Sequence, residues 1–437
     1  MIQGFFLYSI QMKTAQLHSL FLASTGVCTD TRKITPGVLF FALKGDNFNG
    51  NKFANDALSL DASYAIVDQA AHTNNDDRII LVNDVLTALQ QLAKYHREYL
   101  KIPIIGLTGS NGKTTTKELI NAVLSQKFKI TATQGNLNNH IGVPLTLLSM
   151  DATTEIGIVE MGANHLKEID ALCQICMPDY GYITNFGKAH LEGFGGIQGV
   201  IEGKSELYDH LRKHLKTCFV NANDPVQMQR SKGMTRVLIS DTIHDKSIDL
   251  AASNPAVILQ VGKSEIKSNL LGDYNAQNIK AAMFIGDFFK VPMTAIKRGL
   301  EGYSPTNNRS QWIKTKRNKL LLDAYNANPS SMKVALNNFS VYDPYQKTVV
   351  ILGDMFELGV DAPKEHQDIA NLAAKLGFDK IFLVGENFYQ VNSQDIHIKC
   401  REYEDLLVVL QKHDLTNHNI LIKGSRGMAL ERVVDYL

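Results

Sequence analysis

Ile102-Pro103-Ile104-Ile105-Gly106-Leu107-Thr108-Gly109-Ser110-Asn111-Gly112-Lys113-Thr114-Thr115-Thr116 decides how this chain folds. Its first half is a short apolar run suited to a buried parallel strand. A helical stretch from Lys113 to Gln126 follows, so the glycines fall at a strand–helix junction. Glycines there let backbone N–H groups surround phosphate oxygens, and the helix N-terminus adds a favourable dipole. Lys113 would reach the β- and γ-phosphates, and Thr114 or Thr115 would offer a hydroxyl to Mg²⁺. The strict phosphate-loop pattern wants glycine where this chain has Leu107. A turn of purely structural use would leave Gly-Lys-Thr-Thr at such a junction unexplained. The stretch therefore reads as a nucleoside triphosphate site.

Strand–helix alternation continues outward from this junction. Strands are expected near 128–132, 155–161, 180–184 and 217–221, with helices near 143–149, 166–175 and 198–213. This spacing argues a doubly wound, mostly parallel sheet. Residues 1–100 mix short apolar runs with turns such as Thr35-Pro36-Gly37 and Asn49-Gly50-Asn51, and read as a small α/β unit with one or two helices. From about residue 306 a second alternation begins, with strands near 319–323, 347–352, 379–384 and 419–422 and helices near 329–339, 364–375, 403–412 and 427–436. That is a Rossmann-like unit without a G-x-G-x-x-G opening, so it implies no dinucleotide. The expected architecture is α/β in three domains, 1–100, 101–305 and 306–437, the central one P-loop ATPase-like and doubly wound.

Composition bounds the function classes. The 437 residues fit about three domains at roughly 100–200 residues each. With 45 lysines and arginines against 44 acidic residues, no global basic field points to nucleic acid or an acidic membrane, so any phosphate binding is local. The longest apolar runs, such as Leu39–Leu43, fall far short of the ~20 residues needed to span a bilayer. The start, Met1-Ile2-Gln3-Gly4-Phe5-Phe6-Leu7, lacks a basic region and a cleavage site and makes a poor signal peptide. Five scattered cysteines fit reduced thiols better than a disulfide framework. The expectation is a cytoplasmic, multidomain enzyme.

Other stretches carry chemistry with less force. Ile158-Val159-Glu160 puts a carboxylate at a strand's carboxyl end, where it could hold Mg²⁺ or simply be solvated. His190, on a loop after Gly187-Lys188, could ligate a cation, though a lone loop histidine is more often a bystander. Lys204 alone reads as a surface lysine. Cys173 and Cys176 form a C-x-x-C with no second pair to complete a zinc site, so they read as packed thiols. Asn275 and Asn278 share a helix face and could read adenine edges, with capping and solvation as the plainer account. Three strands of the last domain end in polar loops, at Asp323–Pro329, Gly353–Gly359 and Lys423–Gly427, and strand carboxyl ends are where open α/β sheets bind ligands.

Taken together and in order, these motifs resemble the Mur ligase family, ATP-dependent enzymes that build the peptidoglycan stem peptide, over nearly the whole chain. Thr108-Gly109-Ser110-Asn111-Gly112-Lys113-Thr114-Thr115 is similar to that family's variant of the phosphate loop, which accounts for Leu107. The resemblance implies that Glu160 binds Mg²⁺, that His190 belongs to a second metal site, and that Lys204 becomes an N-carbamate helping to hold that ion. Thr114 and Glu160 would thus hold one Mg²⁺, and His190 and Lys204 the other. It places Asn275 and Asn278 beside adenine, Arg309, after Asn307-Asn308, on ATP phosphate, and Asp323 on the ribose. Tyr274 stands where the family usually has His.

The subtype it implies is the member that adds D-alanyl-D-alanine. The carrying residues are Asp323-Ala324-Tyr325-Asn326-Ala327-Asn328-Pro329-Ser330-Ser331-Met332, Gly353-Asp354-Met355 with Glu357-Leu358-Gly359 and His366, Gly135-Asn136-Leu137-Asn138-Asn139, and Lys423-Gly424-Ser425-Arg426-Gly427-Met428. Asp30-Thr31-Arg32 and Lys44-Gly45 resemble its UDP-sugar-binding region, departing at Thr31, where Ser is common, and at Asn49, where Asp is common. The implied substrate contacts are Thr31, Arg32, Lys44, Asn136, Asn138, Asn139, Tyr325, Asn326, Asn328, Ser331, Lys423, Ser425 and Arg426. The implied partners are ATP, UDP-N-acetylmuramoyl-tripeptide and D-alanyl-D-alanine, bound by a monomer without nucleic acid or membrane. The three domains would carry UDP-sugar, ATP and dipeptide in turn. Rival readings are another amino-acid ligase of the family, a folylpolyglutamate synthetase, a plain P-loop NTPase or kinase, or a non-catalytic nucleotide-binding module. The Asp323–Pro329 stretch argues against the first two.

Overall fold

A computed structural model describes residues 12–73, 76–254, 256–305, 309–342, 345–392 and 394–437. The N-terminal residues weighed as a signal peptide, and Asn307-Asn308 before Arg309, lie outside the described residues. The chain divides into two compact units, one of the chain to Gly106 with Lys129–Met161 and Asp170–Asp179, the other of Leu107–Phe128, Gly162–Ile169 and Tyr180–Leu437.

The first unit holds a parallel sheet ordered Val27–Cys28, Leu39–Phe41, Tyr64–Val67, Ile79–Leu81. Leu39, Phe40, Phe41, Ala65, Ile66 and Val67 are almost completely buried, as a covered parallel sheet requires. Three helices accompany it, Thr14–Leu22, Ala54–Ser59 and Val85–Leu100, where one or two were expected. Ala54–Ser59 is too short for helical periodicity to show. Val85–Leu100 begins at Asp84, whose carboxylate accepts from the Thr87 N–H at 2.7 Å. The same unit contains the parallel pair Ile130–Ala132 and Ile156–Glu160.

The strand Ile104–Thr108 begins in the first unit and ends in the second. In the second unit Tyr180–Ile183, Thr217–Asn221 and Arg236–Ile239 pair in parallel. An antiparallel sheet follows, of Thr242–Ile243, Lys246–Ala252, Ile258–Val261 and Ser264–Lys267. No alternation announced it, because most residues of its strands are exposed and only an occasional one, such as Ile248 or Ile266, is buried.

The last sheet is ordered Gln311–Lys314, Lys319–Leu322, His418–Lys423, Lys347–Gly353, Lys380–Val384, His397–Cys400. It is parallel except at its first pair. Val349, Val350, Ile351 and Leu352 have no exposed surface, so this unbroken apolar run forms a central strand. The helix expected near 427–436 is instead a pair of 3₁₀ turns, Arg426–Met428 and Leu430–Tyr436. Ala429 between them is left-handed at φ 47°, and the buried pair Leu430 and Val433 matches three residues per turn. Among the described residues no helix is long and apolar enough to cross a membrane.

Candidate active site around a phosphate-binding loop

The strand Ile104–Thr108 passes into the helix Lys113–Leu124 through a turn that is left-handed at both glycines, φ 140° at Gly109 and 77° at Gly112. Gly112 precedes the helix and provides no side-chain cap, the arrangement that suits an anion at a helix start. The loop after Tyr180–Ile183 clamps this turn. Thr184 Oγ1 donates to the Asn111 carbonyl at 2.6 Å, and Asn185 Nδ2 donates to the same oxygen at 2.9 Å. The Asn111 N–H donates to Asn185 Oδ1 at 3.2 Å and the Ser110 N–H to the Asn185 carbonyl at 3.0 Å. Ser110 Oγ completes the grip on the Gly187 carbonyl at 2.8 Å. Lys113 folds back, its Nζ donating to the Gly109 carbonyl at 2.7 Å and the Ser110 carbonyl at 3.3 Å. That ammonium is thus held within the loop that would receive phosphate. Thr114 is buried and Thr115 half-buried on the first turn of the helix.

The helix Tyr274–Phe288 supports the loop from another side. Asn278 Oδ1 accepts from Thr116 Oγ1 at 3.1 Å, and its Nδ2 donates to Asn275 Oδ1 at 2.8 Å. Asn275 Nδ2 in turn donates to the Leu271 carbonyl at 2.7 Å. Both amides are buried, so the plainer expectation of a solvated asparagine does not hold. A Cβ on Gly112 would sit 3.0 Å from Asn278 Oδ1, another close approach that favours glycine.

Lys204 is not a surface residue. On the helix Ile197–Lys213 it is only 1% exposed, with Nζ donating to the Ala163 carbonyl at 2.8 Å and lying 4.9 Å from the Phe194 ring centre. Burial pushes this amine well below the ordinary lysine range, and the nearby Lys113 ammonium acts in the same direction. An amine driven towards its neutral form is nucleophilic. His190 is left-handed at φ 53°, and its Nδ1 hydrogen-bonds Glu357 Oε2. That bond holds the Glu357 carboxyl below its ordinary range.

The ends of the C-terminal strands converge on the same unit's loop. Asn328 caps the helix Pro329–Ser340, accepting from the Ser331 N–H at 2.9 Å while Ser331 Oγ accepts from the Asn328 N–H at 3.1 Å. Asn328 Nδ2 also donates to Asn111 Oδ1 of the phosphate loop at 2.7 Å. The Lys188 N–H donates to Ser330 Oγ at 3.1 Å, and Lys188 Nζ meets the buried Glu365 carboxylate at 2.5 Å. Asp323 accepts from the Ser310 N–H at 2.9 Å and from Lys423 Nζ at 2.5 Å, and Lys423 Nζ reaches the carbonyl of the exposed Asn326 at 3.2 Å. Arg309 lies over the Tyr325 ring at 3.6 Å, with Arg426 more distant at 5.9 Å. Ser425 Oγ accepts from the Phe356 N–H at 2.9 Å. Asp354 points elsewhere. It caps the short helix Glu386–Tyr389, accepting from the Asn387 and Phe388 N–H groups at 2.9 Å each.

The remaining expected residues belong to the first unit. Glu160 is 1% exposed and accepts from Asn138 Nδ2 at 2.8 Å. Asn139 Oδ1 accepts from the Ile141 and Gly142 N–H groups at the start of Gly142–Leu148, and Asn136 is exposed. Arg32 forks onto Asp30 at 2.9 and 2.8 Å and draws its carboxyl down to about 2, with Thr31 half-buried beside it. Lys44 pairs with Asp68 at 2.9 Å. Cys173 and Cys176 are buried free thiols 3.8 and 3.7 Å from the Met161 sulfur, and burial raises Cys176 to about 12.

Among the described residues no group of three His, Cys, Asp or Glu side chains is gathered to hold a metal ion. A cation here would therefore have to draw part of its coordination from hydroxyl groups or from bound phosphate. Thr184, Asn185 and Glu365 did not stand out in the sequence as site residues, and Lys188 and Glu357 entered only as members of quoted stretches with no role of their own. The polar strand end Thr184-Asn185 was the available signal for the first two.

Three family models match the chain in succession. They are described as Mur ligase family, catalytic domain, over residues 24–97, Mur ligase middle domain over 107–286, and Mur ligase, glutamate ligase domain over 308–426. The UDP-N-acetylmuramoyl-tripeptide–D-alanyl-D-alanine ligase of Bacillus subtilis strain 168 is 34% identical over 424 residues, covering 94% of this chain and 93% of the relative. The enzyme of the same name from Escherichia coli K12 is 32% identical over 427 residues, covering 94% and 93%. Among solved structures, MurF from Acinetobacter baumannii superposes with a TM-score of 0.83 at 29% identity, covering 96% of this chain and 97% of that one.

Proposed function

The chain belongs to the Mur ligase family, and on that premise we propose that it is the ATP-dependent ligase joining D-alanyl-D-alanine to the terminal carboxylate of UDP-N-acetylmuramoyl-tripeptide, with release of ADP and phosphate. The observation that carries the reading is the 2.7 Å bond from Asn328 to Asn111. It ties the loop expected to meet the dipeptide to the loop expected to hold ATP. We place the domain boundaries near residues 100 and 305, and read the protein as a cytoplasmic monomer.

The tripeptide carboxylate attacks the γ-phosphate, the bond to ADP breaks, and an acyl phosphate results. The dipeptide amine then attacks the acyl carbon, loses a proton, and phosphate leaves. Bringing a carboxylate up to a triphosphate is opposed by charge, and Lys113, already seated among the loop carbonyls, offsets part of that repulsion. Mg²⁺ would supply the rest of the neutralisation. Thr114 is our candidate to contact one ion, and His190 with a carbamate on Lys204 the other; Glu160, oriented by Asn138, is a further carboxylate for Mg²⁺. Carbamylation turns the Lys204 amine from a group that repels a cation into an anion that binds one. An acyl phosphate must be kept from water, so closure of the C-terminal domain over the phosphate loop belongs to the proposal.

The test is product mass and phosphate release with ATP, Mg²⁺ and UDP-N-acetylmuramoyl-tripeptide, with and without D-alanyl-D-alanine. Stoichiometric phosphate and the pentapeptide mass, both dependent on the dipeptide, are expected. Phosphate release indifferent to the dipeptide would assign another acceptor or a plain NTPase.

A further inference from the structure

We infer that Glu357 is a positioning residue for His190, fixing the tautomer and orientation of its ring so that Nε2 is the nitrogen offered to a cation. This rests on the metal-ligand reading of His190 given above. An ionised carboxylate only accepts, so its bond to His190 Nδ1 requires the hydrogen on Nδ1, and in the neutral ring, the form that ligates a cation, this leaves the lone pair on Nε2. Among the described residues no hydrogen bond engages Nε2. A carboxylate behind a ligating imidazole is the arrangement by which proteins orient such rings and raise their basicity.

The backbone around the pair supports a selected contact. His190 and Glu357 are both left-handed, at φ 53° and 61°, a region that histidine visits more readily than most side chains but that a glutamate seldom occupies. Such conformations persist where the surroundings over-determine them and gather at functional sites. The Glu192 N–H donates to the Glu357 carbonyl at 3.3 Å, and Gly359, at φ 54°, admits the Glu192 side chain where a Cβ would stand 3.3 Å from it. The Phe356 N–H on Ser425 Oγ, at 2.9 Å, fixes the same loop from its other side.

Docking alone does not explain the carboxylate. The 187–192 loop is already tied to the C-terminal sheet's helices by Lys188 on Glu365 at 2.5 Å and on Ser330 at 3.1 Å. The Glu357 side chain is 49% exposed, and ion pairs that open to solvent hold little stability. Because Glu357 arrives from the C-terminal sheet, ligation by His190 becomes conditional on that sheet's loop being in place.

The experiment titrates Mn²⁺ into the full-length enzyme with a non-hydrolysable ATP analogue, counting bound ions by electron paramagnetic resonance. The wild type is expected to bind two ions and His190→Ala one. Glu357→Ala should weaken only the second ion, by about 10- to 100-fold. Glu357→Gln, whose amide oxygen still accepts from Nδ1–H, should weaken it less and covers the case in which the alanine variant folds poorly. Lys188→Met removes a docking contact and leaves Glu357 intact, so it should leave the second ion within about threefold. Unchanged Mn²⁺ affinity in both Glu357 variants overturns the inference, as does equal weakening in Lys188→Met, which would make Glu357 a docking contact. Equal stoichiometry in the wild type and His190→Ala would instead remove the metal reading of His190, and the inference with it.

Discussion

Gly109→Ala tests the phosphate loop at its least tolerant point. Gly109 sits at φ 140°, and a Cβ placed there would lie 2.0 Å from Thr184 Oγ1, 2.9 Å from the Thr184 backbone nitrogen and 3.1 Å from its Cβ. Three costs accumulate. Holding a non-glycine residue in that backbone region costs about 1–3 kcal/mol. The overlap costs about 1–3 kcal/mol as overpacking, because Thr184 is β-branched and its backbone is among the atoms struck. Turning Thr184 aside breaks its 2.6 Å bond to the Asn111 carbonyl, worth about 1 kcal/mol. Keeping the loop unchanged would thus cost about 3–7 kcal/mol, and the loop will relax instead, displacing Ser110 and Asn111. ATP affinity should fall by about 10²-fold or more, since each 1.4 kcal/mol is tenfold. The assay is equilibrium binding of a fluorescent ATP analogue, with thermal unfolding to show that the fold persists. Adding Thr184→Ala to Gly109→Ala should recover the part due to the hydroxyl, giving a coupling of about 1 kcal/mol or more. Gly109→Ala binding within threefold of the wild type, or strict additivity in the double variant, would refute the steric reasoning.

Two further predictions follow from buried nitrogens. Lys204→Ala should lose most ligase activity, and bicarbonate with a short carboxylic acid should partly restore it by replacing the carbamate oxygens; unimpaired turnover of the variant would exclude this role. In the first unit His96 Nε2–H donates to the Met150 carbonyl at 2.9 Å, so His18 Nε2–H must donate to His96 Nδ1 at 3.0 Å, and both rings are neutral in this arrangement. Burial lowers both pKa values, and the neighbouring His96 acts on His18 in the same direction. Lowered values mean that the unfolded chain takes up protons first. The associated stability is therefore full above pH ~6.5 and declines as the pH falls towards the depressed folded values. The apparent melting temperature should drop between pH 7.5 and 5.5, and His18→Gln, whose amide can still donate to His96, should make the drop shallower. A slope unchanged by that variant would remove the pair from the account.

The parts of this fold legible in the sequence are those whose signal is local. The strand-turn-helix at Ile104–Leu124 needs only an apolar run and well-placed glycines, and the strands from Lys319 to Lys423 are apolar runs bounded by polar loops. The antiparallel sheet over 242–267 escaped because its alternation is diluted, with Leu250 45% exposed on a strand whose neighbour Ile248 is buried. Its turn at Gly262-Lys263, with Gly262 at φ 58°, was the available signal. The hydrogen-bond partners were beyond reach altogether. Asn278 meets Thr116 across 162 residues and His190 meets Glu357 across 167, and no spacing rule connects such pairs.

Asp354 and Lys204 show where residue type and position stop being informative. Both Asp323 and Asp354 end parallel strands of one sheet, and strand-end reasoning treats them alike. Asp323 meets Lys423 and the Ser310 N–H, whereas Asp354 is turned inward by the Asn387 and Phe388 N–H groups, beside His366, whose Nε2 accepts from the Met355 N–H at 2.9 Å. What separates them is a helix N-terminus supplied by a later stretch of chain. Lys204 is the reverse case, since a lysine on an amphipathic helix is a surface residue by default. Here the helix turns that position inward, and the amine finds one carbonyl and no carboxylate partner among the described residues. Burying an ammonium under those conditions is costly, and a methionine of similar length would fill the space without the penalty. The chemistry proposed for Lys204 would use this nitrogen. The fold, by driving that amine towards its neutral form, supplies the nucleophile that CO₂ addition would require.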